Sequence, residues 1–253
     1  MPLTFDELTA FKANGLIIKP GFVSSRLVGQ ASALIDHWYR DHIDRMDHGL
    51  VAVYTQRTFA PDLGNHPILL SLFHDSGVAE LTRNLLDVIA PVTTTQIQIR
   101  IPDTHSGSGQ PEKAMHVDGV ACPHLDPAEL RTFSMLVGVV LSDISDPGGG
   151  ALRYVPGGHL SMADWFRTQW SLGVTDQVPP QVDAQQGTPF LGQPGDLLLM
   201  HHLVPHAVGR NHTTIPRVMA YFRVSHVDHA RRRLDALCDP WLDYPPLAEL
   251  TST

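Results

Sequence analysis

Pro194-Gly195-Asp196-Leu197-Leu198-Leu199-Met200-His201-His202-Leu203-Val204-Pro205-His206 reads as a turn, an unbroken apolar run and a cluster of imidazoles. An apolar run of this length between two turn signals suits a strand buried on both faces. Its return partner is residues 216–224, reached across the loop 209–215. Upstream, 151–155 follows the glycine turn Pro147-Gly148-Gly149-Gly150, and 132–141 is a further apolar strand. Residues 95–101 alternate strictly, with Gln96, Gln98 and Arg100 on one face and Ile97, Ile99 and Ile101 on the other, as a half-buried strand does. A helix over 161–170 interrupts the strands.

The first ninety residues have helical texture. Thr4 can cap a helix with Glu7 at its third position, and Phe5, Leu8 and Phe11 would form its buried stripe before Asn14-Gly15 stops it. A short strand at 16–18, a Pro20-Gly21 turn and helices over 24–40 and 75–89 follow. Short strands behind a helical N-terminal part predict a mainly β protein, a double-stranded β-helix (jelly roll, cupin-like) with helices packed outside. The expected organisation is one domain over 1–253: a helical part at 1–90, a jelly-roll core at 91–227 and a C-terminal extension from 228.

Hydrophobic residues make up 43% and charged residues 17%, enough for a continuous core. A formal charge of −8 argues against wrapping phosphate backbones, so no nucleic-acid partner is expected. The one basic run, Arg231-Arg232-Arg233, reads as a solvated helix face or a contact for an anionic substrate tail. Cys122 and Cys238 form no metal-type spacing, and a reduced cytoplasmic setting is the simpler reading. Asp6 and Glu7 interrupt any secretory core, and no run reaches the roughly 18 apolar residues of a membrane span.

Fifteen histidines point toward metal or proton chemistry. Non-haem iron(II) oxygenases hold the ion by two histidines and one carboxylate on one face, leaving the opposite face open. On a strand, His-x-Asp presents two ligands on one side. The pattern occurs four times. His42/Asp44 lies in a helical segment, where i and i+2 diverge. Asp126 of His124/Asp126 is placed to cap a helix, with Pro127 first and Glu129 third. His226/Asp228 has no later strand to supply a third ligand. His116/Asp118 follows a Gly/Ser-rich loop, precedes Gly119 and leaves a long chain downstream. Its third partner is then His201, His202 or His206.

Gly195-Asp196, the apolar strand, His206, Asn211 and Arg217 together resemble the C-terminal signature of the phytanoyl-CoA dioxygenase family. Phe11 with Gly15-Leu-Ile-Ile resembles that family's opening. Gly149-Gly150-Ala151-Leu152 and Val155-Pro156-Gly157-Gly158-His159 resemble its glycine turn and Pro-Gly-Ser-His segment. The resemblance spans most of 5–225 and implies an iron(II)- and 2-oxoglutarate-dependent dioxygenase that uses dioxygen to hydroxylate or otherwise oxidise an unactivated C–H bond.

Carried over position by position, the resemblance implies His116, Asp118 and His206 as iron ligands. Arg217 would hold the distal carboxylate of 2-oxoglutarate, a task its two-pronged guanidinium suits and lysine cannot copy. Gln96 and Gln98 would face the co-substrate pocket. His159, His201 and His202 read as structural or supporting groups. Val208 stands where many relatives carry a serine or threonine that touches the co-substrate, Gly158 stands for the serine before His159, and Gly138, bulkier in relatives, suggests extra room. Asp118 favours hydroxylation, desaturation or ring chemistry, because halogenating relatives lack the carboxylate. The scarcity of cations disfavours an acyl-CoA, so a small molecule, such as an amino-acid derivative or secondary metabolite, is expected. Residues 103–113, 165–185 and 224–244 are candidate lids. The rival readings are a cupin-like metalloenzyme that uses no 2-oxoglutarate and a non-catalytic jelly-roll binding protein.

Overall fold

The computed structural model describes residues 2–43, 59–106, 114–119, 131–171, 187–248 and 250. Asp44, Cys122, the His124/Asp126 helix start, 107–113 and 172–185 lie outside the described residues.

Helix α1 (Phe5–Asn14) starts as its sequence predicts, with both halves of the capping box formed between Thr4 and Glu7, and ends where Gly15 turns left-handed. Its stripe differs from expectation: Phe11 is buried, Leu8 is half-buried against the core, and Phe5 in the first turn is 56% exposed. Strand β1 (Leu16–Lys19) follows, then α2 (Ser25–Ile43), α3 (Pro67–His74) and α4 (Val78–Leu86). The core strands are β2 (Gln96–Arg100), β3 (Met135–Val140), β4 (Leu152–Tyr154), β5 (Thr188–Pro189), β6 (Leu197–His201), β7 (His206–Val208) and β8 (Arg217–Val224), with α5 (Gly158–Thr168) inserted after β4.

Five strands form the major sheet in the order β1-β6-β3-β8-β2, and three form the minor sheet in the order β5-β4-β7; every pairing is antiparallel. The major sheet is covered on both sides. Ile97, Ile99, Val137, Val139, Leu199, Ala220 and Phe222 pack with α2, α3 and α4 on its outer face. Leu136, Val140, Leu198, Met200, Met219 and Tyr221 pack against Leu152 and Tyr154 of the minor sheet on its inner face. This double burial explains why β3, β6 and β8 read as nearly continuous apolar runs. Polar side chains on the inner face are therefore exceptions, and burying one without a partner costs about 1–3 kcal/mol. They mark the site.

Candidate metal centre

His116 and His206 are locked together before any side chain is considered. Each backbone N–H donates to the other's carbonyl at 3.0 Å, an isolated antiparallel pair that extends the minor sheet beyond β7. Asp118 follows two residues on and points to the same side. Nε2 of His116 lies 3.6 Å from Oδ1 of Asp118, and Nε2 of His206 lies 3.9 Å from Oδ2. The three donor atoms all fall within 4.8 Å of one another, and among the described residues no other such group of His, Cys, Asp or Glu occurs.

The ring tautomers are set locally. Nδ1 of His116 meets the Ala114 carbonyl at 2.9 Å, and Nδ1 of His206 meets the Val204 carbonyl at 3.0 Å. A carbonyl only accepts, so each Nδ1 carries the proton and each Nε2 presents a lone pair to the centre. Burial alone would push the Asp118 carboxyl upward, but the polar imidazoles of His116 and His206 and the Arg223 guanidinium beside it outweigh it. The group is held well below the usual carboxylate range and stays ionised. Gly119, in the left-handed region at φ +83°, makes the turn behind it, and a Cβ there would come within 2.5 Å of the Arg131 carbonyl oxygen. Two imidazole nitrogens and one carboxylate with an open side suit ferrous iron.

The pocket around this centre is walled by Gln96, Gln98, Leu136, Leu152, Val208, Tyr221 and Arg223 besides the three donors. Gln96 and Gln98 thus lie on the pocket wall, on the face that the alternation of β2 assigned to them. Arg217 opens β8, across the ladder from Arg100, and is not among the residues that line this pocket. It is 1% exposed; its Nε donates to the Gly150 carbonyl at 2.9 Å, while Nη1 and Nη2 have no partner. Gly150 is the left-handed turn residue (φ +76°) of the Pro-Gly-Gly-Gly stretch, and a Cβ there would strike the Arg100 side chain at 2.7 Å. The glycine turn therefore holds the arginine. An orphaned, buried, forked cation is the complement of a carboxylate.

The structure corrects the reading of Gly138 as spare room. A Cβ at that position would meet the Tyr221 ring at 2.9 Å and the Met219 methyl at 3.1 Å, so the space is already filled. Tyr221 sits between Gly138 on β3 and Gln96 on β2. Burial raises its phenol, which feels both the Arg217 and the Asp118 charges. Tyr221 and Arg223 were not singled out in the sequence. The signal was present, since from Arg217 the two-residue period of β8 runs through Met219 and Tyr221 to Arg223.

The other histidines lie elsewhere. His201 is buried, stacked on His202 and Tyr244, with Nε2 on the Pro240 carbonyl. His159 packs edge-on against Trp241. His42 is helical and stacked on Trp38, and Nδ1 of His226 accepts from the Asp228 N–H. Asp196 accepts from the Gly21 and Gln193 N–H groups, and Asn211 bridges the Arg100 and Ile215 carbonyls, so both signature residues fasten turns. Residues 224–244 supply no wall to the pocket. They are tied down instead by Asp243, which accepts from His229, Ser134 and Arg232. Within the basic run, Arg231 pairs with Asp228 and Arg233 donates to the Ala230 carbonyl. No described helix is long and apolar enough to cross a membrane.

A jelly roll with two histidines and a carboxylate on its inner wall, and a buried arginine on β8, defines a non-haem iron oxygenase by class. The phytanoyl-CoA dioxygenase (PhyH) family matches residues 11–219, and the chain belongs to it. It is accordingly an iron(II)- and 2-oxoglutarate-dependent dioxygenase, as its sequence led us to expect. The fold resembles HygX from Streptomyces hygroscopicus, solved with nickel and 2-oxoglutarate bound, at 17% identity and a TM-score of 0.55 over 89% of this chain and 87% of that one. It also resembles the non-haem α-ketoglutarate-dependent carbocyclase SnoK from nogalamycin biosynthesis (16%, TM-score 0.60, 91% and 90%). EctD from S. alaskensis, solved with 2-oxoglutarate and 5-hydroxyectoine, is similar at 18% identity and a TM-score of 0.62, over 89% and 77%. No curated protein sequence matches the chain significantly.

Proposed function

We propose that His116, Asp118 and His206 hold the ferrous ion, that Arg217 anchors the distal carboxylate of 2-oxoglutarate, and that the enzyme oxidises a C–H bond of a small molecule. One observation carries the reading: three metal-type donors converge on one pocket, and the strand that supplies Tyr221 to its wall also carries a buried guanidinium with two unpartnered nitrogens. Iron and 2-oxoglutarate together activate dioxygen, with oxidative decarboxylation of the co-substrate to succinate and carbon dioxide.

The chain's own residues bind, orient and exclude water. The Ala114 and Val204 carbonyls hold both rings in place with Nε2 aimed at the centre. Arg217, buried with two free guanidinium nitrogens, would hold the distal carboxylate of 2-oxoglutarate by a two-pronged contact shielded from water, where charge pairing is strong. Val208 provides no hydroxyl, and we assign that duty to the Tyr221 phenol, which now donates to the Met219 sulfur at 3.0 Å and lies in the field of Arg217. Leu136, Leu152 and Val208 give apolar walls that keep bulk water from the centre. Gln96 and Gln98 offer amide groups to the co-substrate or to polar groups of the substrate. The carbocyclase activity of SnoK and the 5-hydroxyectoine bound to EctD are consistent with a small organic substrate rather than an acyl-CoA.

The test is iron-dependent formation of succinate from 2-oxoglutarate, with iron content measured in parallel. His206→Ala should lose both. A variant retaining one iron per chain would refute the ligand assignment, and iron-replete wild type forming no succinate would favour a jelly-roll metalloenzyme of another kind.

A further inference from the structure

Strand β8 is buried along its length except at one position. Arg223 is the exposed residue in the pattern, with 42% of its side chain accessible, and it lies on the inner face two residues beyond Tyr221. It lines the pocket with Gln96 and Gln98. Its guanidinium lies over the Phe133 ring, 5.4 Å from the centroid, and Phe133 is itself 4% exposed. A cation–π contact of this kind favours keeping the guanidinium beside the ring while its N–H groups can still donate. Its only ion pair among the described residues is with Oδ2 of Asp118 at 3.7 Å, too long for a hydrogen bond.

That carboxylate is already shared with His116 and His206. A divalent ion on the three donors would take up the charge of Asp118, and Arg217 would oppose the distal carboxylate of the co-substrate. With those pairings made, Arg223 has no other anion among the described residues and lines the same pocket. We propose that Arg223 recognises an anionic group, a carboxylate in a two-pronged geometry, on the substrate to be oxidised. The substrate class is then a small carboxylate-bearing molecule. This inference rests on the oxygenase reading above and names its substrate class.

The experiment uses the nickel-loaded protein saturated with 2-oxoglutarate, titrated calorimetrically with benzoate and with its neutral counterpart benzamide. Wild type should bind benzoate at least tenfold more tightly. Arg223→Gln should erase the preference, and Arg223→Lys should keep part of it, as a point charge without the fork. Three results would overturn the proposal: no preference in wild type, an intact preference in Arg223→Gln, or a tenfold loss of 2-oxoglutarate affinity in Arg223→Gln with the benzoate preference unchanged. The last would make Arg223 a co-substrate residue. Failure of wild type to bind 2-oxoglutarate at all would overturn the oxygenase reading itself, and is read in the first titration before either probe is added.

Discussion

Arg217→Met separates the two roles a buried arginine can have, because the structure predicts effects of opposite sign. In the absence of co-substrate the guanidinium is 1% exposed with Nη1 and Nη2 unpartnered. Burying such a cation costs several kcal/mol, which an unbranched apolar side chain of similar length avoids. Against this, Gly150 loses the hydrogen bond from Nε, worth about 1–3 kcal/mol for the stranded carbonyl. The net effect should be a metal-free variant within about 2 kcal/mol of wild type, on the stabilised side, a rise of a few degrees at about 2–4 °C per kcal/mol for a chain of this size. Ligand-linked stability should move the other way. At a concentration of about 100 times its dissociation constant, 2-oxoglutarate adds about 2.7 kcal/mol to wild type, or roughly 5–10 °C. Truncating one partner of a buried charge pair costs about 2–5 kcal/mol, so at the same concentration the variant should retain under about 1 kcal/mol. The assay is thermal unfolding of nickel-loaded and metal-free protein, with and without 2-oxoglutarate. An undiminished ligand-induced shift in the variant would refute the anchoring role. A loss of more than about 3 kcal/mol without ligand would show that Arg217 is a structural ion.

Other substitutions probe the scaffold. Gly119→Ala places a methyl 2.5 Å from the Arg131 carbonyl in a left-handed turn, so it should lower stability by about 1–3 kcal/mol and weaken iron binding, checked by unfolding and metal titration; wild-type iron affinity would show that the turn does not aim Asp118. Gly138→Ala should displace the Tyr221 ring, 2.9 Å away, and raise the KM for 2-oxoglutarate severalfold with iron content intact, whereas an unchanged KM would remove Tyr221 from the co-substrate site. Asp243 is held at about 2: burial raises it, and the His229, Ser134 and Arg232 contacts more than offset that. A depressed carboxyl contributes stability that is present above its ordinary value near 3.8 and is lost as pH falls toward 2. Asp243→Asn should therefore cost about 2–3 kcal/mol at pH 7 in denaturant unfolding, with the gap narrowing below pH 4; a constant gap would place the cost in packing.

Strands with regular periodicity were legible, and the site residues among them followed. The alternation of 95–101 put Gln96 and Gln98 on the face that lines the pocket, and the apolar run before His206 became β6. Short elements were not legible, because they owe their existence to pairing. Strand β7 is three residues long and β5 two, too few for any period to register. Helix α3 was missed because its cap is His66, whose Nδ1 accepts from the Ile68 N–H, rather than one of the usual hydroxyl or carboxylate caps. Gly138 was misread for a related reason: whether a missing side chain leaves a hole depends on the neighbouring strand, and here Tyr221 fills it.

The same dependence explains why the proposed metal donors could be named, His206 by resemblance, while Tyr221 and Arg223 beside them could not. Ligands to one ion must be few, of fixed chemical type and, when adjacent on a strand, two residues apart, so they leave a pattern in one dimension. Tyr221 obeys no such rule; it joins Gln96 and Gly138 only through the registers of β8 with β2 and β3. Once Arg217 is placed on the inner face, however, the strand period makes every second residue of β8 an inner-face residue, and Arg223 then stands out as a charge where burial elsewhere selects apolar side chains. A cation retained at the one open position of that strand is better explained by an anion that enters the pocket than by Asp118, which its metal would already neutralise.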